Sequence, residues 1–274
     1  MAGTSSVLAA GAAANGNEVL AQRARWVATV GAAVSPPLLI ADLGRPSRFL
    51  NMLRVFKPTS AMSVGSWILA GYSAVVVGTT GLATLGRLPR LRAIGDAKGA
   101  VLGLGMATYT GTLVADTSIP VWHEARRELP PLFAASGLAA AGAASTLLTP
   151  ADHAGPARRS AVAGAVAELA IDRAMRRRLG EIGEVYEQGV AGRFHRAAEV
   201  ATAAGAALVA AGGRRRRALT VAGSVALLAG SICQRWSVYK AGFASALDPV
   251  ATVKPQRERL DRGEGYRKDP RARR

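Results

Sequence analysis

Cysteine occurs once in this chain, at Cys233. A disulfide framework and a thiolate metal cluster both need several cysteines, so both are excluded. Histidine is almost as scarce, and His123, His153 and His195 lie far apart. A bis-histidine haem needs paired axial ligands, which these three would supply only by distant pairing. The expectation is a chain with no haem and no metal of its own. Aromatic residues make up 5% of the sequence. The opening MAGTSSVLAAGAAANG lacks the basic region that begins a secretory signal. It reads instead as the back half of a hydrophobic helix.

Acid is the other shortage, with 18 Asp and Glu against 35 Lys and Arg, for a formal charge of +17. So basic a chain could bind nucleic acid, or it could hold its arginines in loops beside a membrane. The placement of charge separates the two. Residues 27–41, 62–86, 99–115, 129–151, 200–213 and 218–234 carry no charged side chain. A soluble helix places charge on its outer face every turn or two. A spanning helix needs about 20 mostly apolar residues. The arginines cluster between apolar stretches rather than on one face, which disfavours nucleic acid. Mean hydropathy is only +0.18 because basic loops and a basic tail dilute it.

The sequence therefore predicts an all-α, polytopic transmembrane bundle of about seven to eight helices. The segments run roughly over 24–43, 62–86, 98–118, 130–149, 158–176, 197–213 and 217–239, after the N-terminal remnant. The bundle occupies residues 1–245 and a basic, flexible tail residues 246–274. Pro36-Pro37 in the first long segment is either a packing kink or a bend that opens a ligand cavity. The 158–176 segment contains Glu168 and Asp172. A charge at the bilayer centre costs on the order of 2.5–3.5 kcal/mol. Either this helix is buried among the others, or its C-terminal half projects from the membrane. Lys and Arg divide almost evenly between the two sets of alternate loops, and the Arg214–Arg217 run in a tight hairpin is the strongest single vote, which places that loop in the cytoplasm. The loops at 44–61, 119–129 and 177–196 then lie outside.

Two stretches carry candidate chemistry. In the first, Phe49, Met52, Leu53 and Phe56 fall at helical spacing, with Arg48, Asn51 and Arg54 on the other face. This is a short amphipathic helix suited to the membrane interface, begun by Pro46 and ended by Pro58. It is a plain connector, or a lid or floor for an amphiphilic ligand with Asp42, Arg45 and Arg48 as a charged rim. In the second, Tyr109, Thr112 and Asp116 share a helix face, and Trp122 and His123 follow Pro120. Tyr, Asp and His near a membrane face can hydrogen-bond a quinone carbonyl and pass its protons. The plainer readings are an interfacial His123 beside Glu124, and an Asp116 ion-paired to Arg126 or Arg127.

DLGRPSRFLNMLRVFKPTSAMSVGSW (42–67), TYTGTLVADTSIPVWHEARRELP (108–130) and TVKPQRERL (252–260) together resemble the NrfD/PsrC family of membrane subunits. The likeness covers most of the chain from about residue 20. It implies a haem-free bundle of eight or more helices with a quinone site near the outer face. Menaquinone or ubiquinone would be its exchangeable substrate. It implies as partners a ferredoxin-like iron–sulfur subunit and a molybdopterin catalytic subunit, of formate dehydrogenase or polysulfide reductase type, in the inner (plasma) membrane. Asp42, Arg45, Arg48, Tyr109 and Trp122 would flank the quinone. Asp116 and His123 would handle its protons, and Glu168 would belong to a proton path. Such members open with a fuller first helix, whereas Met1 here falls inside it. A passive anchor for such a complex and a small transporter are the competing functions. A transporter would be marked by an internal repeat with paired broken helices, and only the one Pro-Pro break is seen.

Overall fold

The computed structural model describes residues 1–45 and 47–248 together with Val253, Arg257 and Asp261, and for Asp42 the backbone alone. Pro46 and almost all of the basic tail, including all of the stretch 252–260 but Val253 and Arg257, lie outside the described residues. Among the described residues the chain is helical, with no strand. Eight helices form the bundle: α1 (Ala2–Ala14), α2 (Glu18–Asp42), α4 (Ala61–Thr84), α5 (Pro89–Ala115), α7 (Leu129–Leu148), α8 (Gly155–Leu179), α9 (Gly189–Gly212) and α10 (Arg217–Leu247). Two short helices, α3 (Ser47–Arg54) and α6 (Pro120–Glu124), lie at one end. This is the all-α membrane bundle the sequence predicts.

The helices alternate in direction and fall into two groups of four. α1, α2, α4 and α5 pack together, as do α7, α8, α9 and α10, and α7 joins the groups by packing on α5 and α1. The linkers around residues 16, 86, 152 and 214 share one end. There the Asn17 side chain donates to the His153 carbonyl at 2.8 Å, and Arg214 pairs with Asp152. The opposite end holds α3, α6 and the 3-10 turn Gly180–Tyr186.

Among the described residues, four helices are long and apolar enough to cross a membrane: α2, α4, α7 and α10. α5, α8 and α9 match them in length but are more polar, and the bundle turns part of that polarity inward. Arg25 of α2 meets Asp96 of α5 through two hydrogen bonds, at 2.9 and 2.7 Å, and both side chains are buried. Glu18 lies 3.2 Å from Arg25 and 2.9 Å from Arg92, extending the pair to the surface. In α8, Glu168 and Asp172 are 3% and 4% exposed. Both acids of the 158–176 segment are therefore buried among the other helices.

Core packing relies on small residues. Lipid offers no hydrophobic drive for helix association, so close backbone approach must supply the contact. A Cβ on Gly3 would overlap the Gly103 carbonyl of α5. A Cβ on Gly223 of α10 would lie 2.7 Å from the Gly205 carbonyl of α9. Backbones thus touch directly at both crossings. Pro36 and Pro37 sit inside α2, whose helix runs on to Asp42.

Candidate functional site

A cleft of about 590 Å³ opens between the first two turns of α4 and the last three of α5, at the end that carries α3 and α6. Its length along α5 runs from Gly105 to Asp116, roughly 16 Å of helix at 1.5 Å per residue. The linker before α4 closes one side with Pro58 and Thr59, and α6 and its following turn close the other with His123 and Arg126.

The local sequence explains this arrangement. Ser60 caps α4, accepting from the Ser63 amide at 3.4 Å. α5 stops at Ala115, with Asp116 as its C-cap residue. Pro120 then starts α6 at a first-turn position, where its missing N–H is no loss. His123 is thereby placed one turn into α6, its amide bonded to the Ile119 carbonyl at 2.9 Å. Arg126, three residues on, is held by the local backbone: it donates to the His123 carbonyl at 3.1 Å.

Tyr109 is seated by a glycine. A Cβ on Gly65 of α4 would fall within the Tyr109 ring. Only a residue with no side chain at 65 lets that ring lie across the α4 backbone. Val64 and Ile68 of α4 and Ala115 of α5 supply apolar wall, and Thr108, Thr112 and Asp116 supply polar groups. Thr108 and Thr112 bond back to carbonyls of their own helix, at 3.1 and 3.3 Å. The cleft thus combines an apolar wall with a phenol, an imidazole, a carboxylate and a guanidinium at its polar end.

Of the residues singled out by sequence, Tyr109, Asp116 and His123 come together here. Asp116 makes no ion pair with Arg126 or Arg127 among the described residues; Arg126 instead lies 4.0 Å from Glu124. The others lie elsewhere. Trp122 points to α10, donating to the Val238 carbonyl at 2.8 Å and meeting Phe243 edge-on. Arg45 and Arg48 are exposed and outside the cleft lining, Arg48 reaching the Leu43 carbonyl at 3.4 Å. The Asp42 side chain lies outside the described residues. Glu168 is in the interior of the second helix group, facing Ser136 of α7 and Arg235 of α10. One turn further along α8, Asp172 accepts from Gln234 at 3.3 Å and from Arg176 at 3.2 Å, with His195 at 3.5 Å.

Arg126 lines the cleft and Gly65 lies against its Tyr109 ring, and the sequence reading assigned neither to a site. The signal for Gly65 was its place in the SVGSW run of the long first motif. For Arg126 no periodicity gives it away, because α6 is only 5 residues long.

The amphipathic helix is found as α3, with no buried residue and with Phe56 beyond its end packed edge-on against Trp67 of α4. It ends at Arg54, a turn before Pro58.

Comparison with curated proteins and with solved structures finds no match. Comparison with protein-family models matches polysulphide reductase, NrfD over residues 1–183, two thirds of the chain. That span includes α1 to α8 and every lining residue of the cleft. The chain therefore belongs to the NrfD family, the integral membrane subunits of polysulfide reductase-like complexes.

Proposed function

We propose that this chain is the quinone-reactive, membrane-anchoring subunit of an oxidoreductase complex, and that the cleft between α4 and α5 is where the quinone ring docks. The observation that carries the reading is the convergence of Tyr109, Asp116, His123 and Arg126 at the polar end of one apolar-walled cleft. A volume of about 590 Å³ is in the range of small-molecule sites. A quinone needs an apolar wall for its ring and tail, and polar groups for two carbonyl oxygens.

The chemistry asks little more of this chain. Oxidising a quinol releases two protons and two electrons, and reducing a quinone takes up the same number. The Tyr109 hydroxyl and the His123 imidazole hydrogen-bond the ring oxygens, and Asp116 exchanges protons with His123 and the nearby end of the bundle. Arg126 stabilises negative charge on a ring oxygen that has lost its proton. The electrons pass to or from a ferredoxin-like iron–sulfur subunit docked at the α3–α6 end. That subunit connects in turn to a molybdopterin catalytic subunit. The Arg214–Arg217 linker lies at the other end, and the positive-inside preference for so basic a run supports a cleft on the outer side of the inner membrane. Glu168 stands apart from the cleft and belongs in this reading to a proton path through the second helix group. Trp122, Arg45 and Arg48 support the site's end of the bundle rather than the quinone itself.

The test is co-purification of a tagged chain from mild detergent, with quinol-analogue oxidation followed in the eluate. The reading expects an iron–sulfur partner in the eluate. It also expects His123→Ala to lower turnover by about 10²-fold or more, the scale of a lost acid–base group, while the complex stays assembled. Normal turnover in His123→Ala and Asp116→Asn would make the chain a passive anchor. Absence of any redox partner would favour a transporter.

A further inference from the structure

We propose a second site, for the phosphate headgroup of an anionic phospholipid, in the groove between α8 and α9 at the same end of the bundle as the cleft. It is formed by other helices and is independent of the quinone reading.

A depression of about 330 Å³ is lined by Arg173, Arg176 and Arg177 of α8 and by Glu187 at the start of α9. The 3-10 turn Gly180–Tyr186 makes this space by turning inward, burying Tyr186 completely. Three guanidinium groups and the Glu187 carboxylate line it, and two further carboxylates pair with the arginines from its edges. Arg173 is 2.8 Å from Glu199, and Arg176 is shared between Asp172 at 3.2 Å and Glu187 at 3.5 Å. Arg177 is exposed and has no hydrogen bond or ion pair among the described residues. A guanidinium fork matches phosphate oxygens bidentately, so the Arg177 guanidinium, the one of the three without such a pair among the described residues, suits a phosphate diester.

The outward face of α8 identifies the rest of the ligand. Ala163, Val166, Ala170, Arg173 and Arg177 are all exposed and follow one another at spacings of three and four. One stripe therefore passes from apolar to basic over about 21 Å of helix. Beside it α9 presents Val200, Ala203 and Ala207, also exposed. These side chains are small, so the surface between the two helices is shallow and can take an acyl chain. A soluble phosphate or an acidic peptide would use the guanidinium groups and leave the stripe unused. A phospholipid uses both at once, its phosphate at the arginines and its acyl chain along the stripe.

The probe is phosphatidylglycerol titrated onto the full-length chain in its co-purified complex, with bound lipid counted by native mass spectrometry. Phosphatidylcholine with the same acyl chains and inorganic phosphate are the comparisons. Phosphatidylglycerol should outcompete phosphatidylcholine, and free phosphate should not displace it. The double variant R173A/R177A should weaken phosphatidylglycerol retention about tenfold, since each basic group at a membrane surface contributes a few-fold to roughly fivefold. Arg173→Lys with Arg177→Lys should retain most of the preference. R87A/R90A, which removes two exposed arginines from the opposite end, should change nothing. The site is ruled out if the wild type shows no lipid preference, if R173A/R177A binds as before, or if R87A/R90A loses as much. Displacement by free phosphate would mean an anion site without a lipid.

Discussion

Replacing Gly65 with alanine adds one methyl group, and the structure says where it goes: into the ring of Tyr109. Two outcomes are open to the protein. The ring can move off the α4 backbone into the cleft, or α4 and α5 can separate. Overpacking of this kind typically costs about 1–3 kcal/mol, which for a chain of this size lowers the apparent melting point by about 2–4 °C per kcal/mol. Quinol oxidation should fall with it, because the phenol leaves its place in the cleft wall. The cause is isolated by a double-mutant cycle with Tyr109→Ala. With the ring gone, Gly65→Ala has nothing to strike, so its cost in that background should be close to zero. A coupling energy of about 1–2 kcal/mol is expected. Melting would be followed in detergent on the intact complex, and turnover on the same sample. Turnover should remain low in the double variant even as stability recovers. If Gly65→Ala costs as much without the ring as with it, Gly65 serves something other than Tyr109, and the seating argument fails.

Asp96→Ala should be far more damaging than its distance from the cleft suggests. It leaves the Arg25 guanidinium, which is 3% exposed, with the half-exposed Glu18 as its remaining charged partner, and breaking a buried ion pair costs up to about 3–5 kcal/mol. The chain should fail to accumulate in membranes, and Arg25→Met in the same molecule should restore it. Glu128→Gln should do little. Its partner Arg178 meets it through two hydrogen bonds and is 38% exposed, and a half-open pair of this kind contributes about 1 kcal/mol, part of which Gln retains. A melting shift of more than a few degrees would show that this contact is structural after all.

The helices were legible because apolar length and absence of charge are properties of composition, and the bilayer imposes both. The predicted segments fall within or close to the observed helices, and the greatest shortfalls come where polarity continues the helix. α5 begins at Pro89, well before the apolar run at 98, because Asp96 has Arg25 waiting across the bundle. α10 runs on to Leu247 past Arg235 and Lys240, whose cations lie over Phe133 and over Trp236 and Tyr239. Pairing of this sort is invisible in a linear window. The cleft was legible where its residues share one helix. Tyr109, Thr112 and Asp116 recur on a face of α5, so spacing alone grouped them. His123 was placed beside them by the proline that restarts the chain. Trp122 was grouped with them by adjacency, yet neighbours on so short a helix point about 100° apart, and the indole goes to α10. Gly65 escaped because a missing side chain leaves no pattern.

The backbone contacts at Gly3–Gly103 and Gly205–Gly223 bear on how such a chain can change over time. Where two main chains touch, no larger residue fits at either partner, and no single substitution elsewhere makes room for one. On the outward faces, by contrast, lipid accepts nearly any apolar side chain. A saturation scan of this protein should therefore be close to two-valued: a few crossing points that tolerate almost nothing, set in a surface free to drift. Relatives could then lose most of their sequence likeness while keeping the bundle.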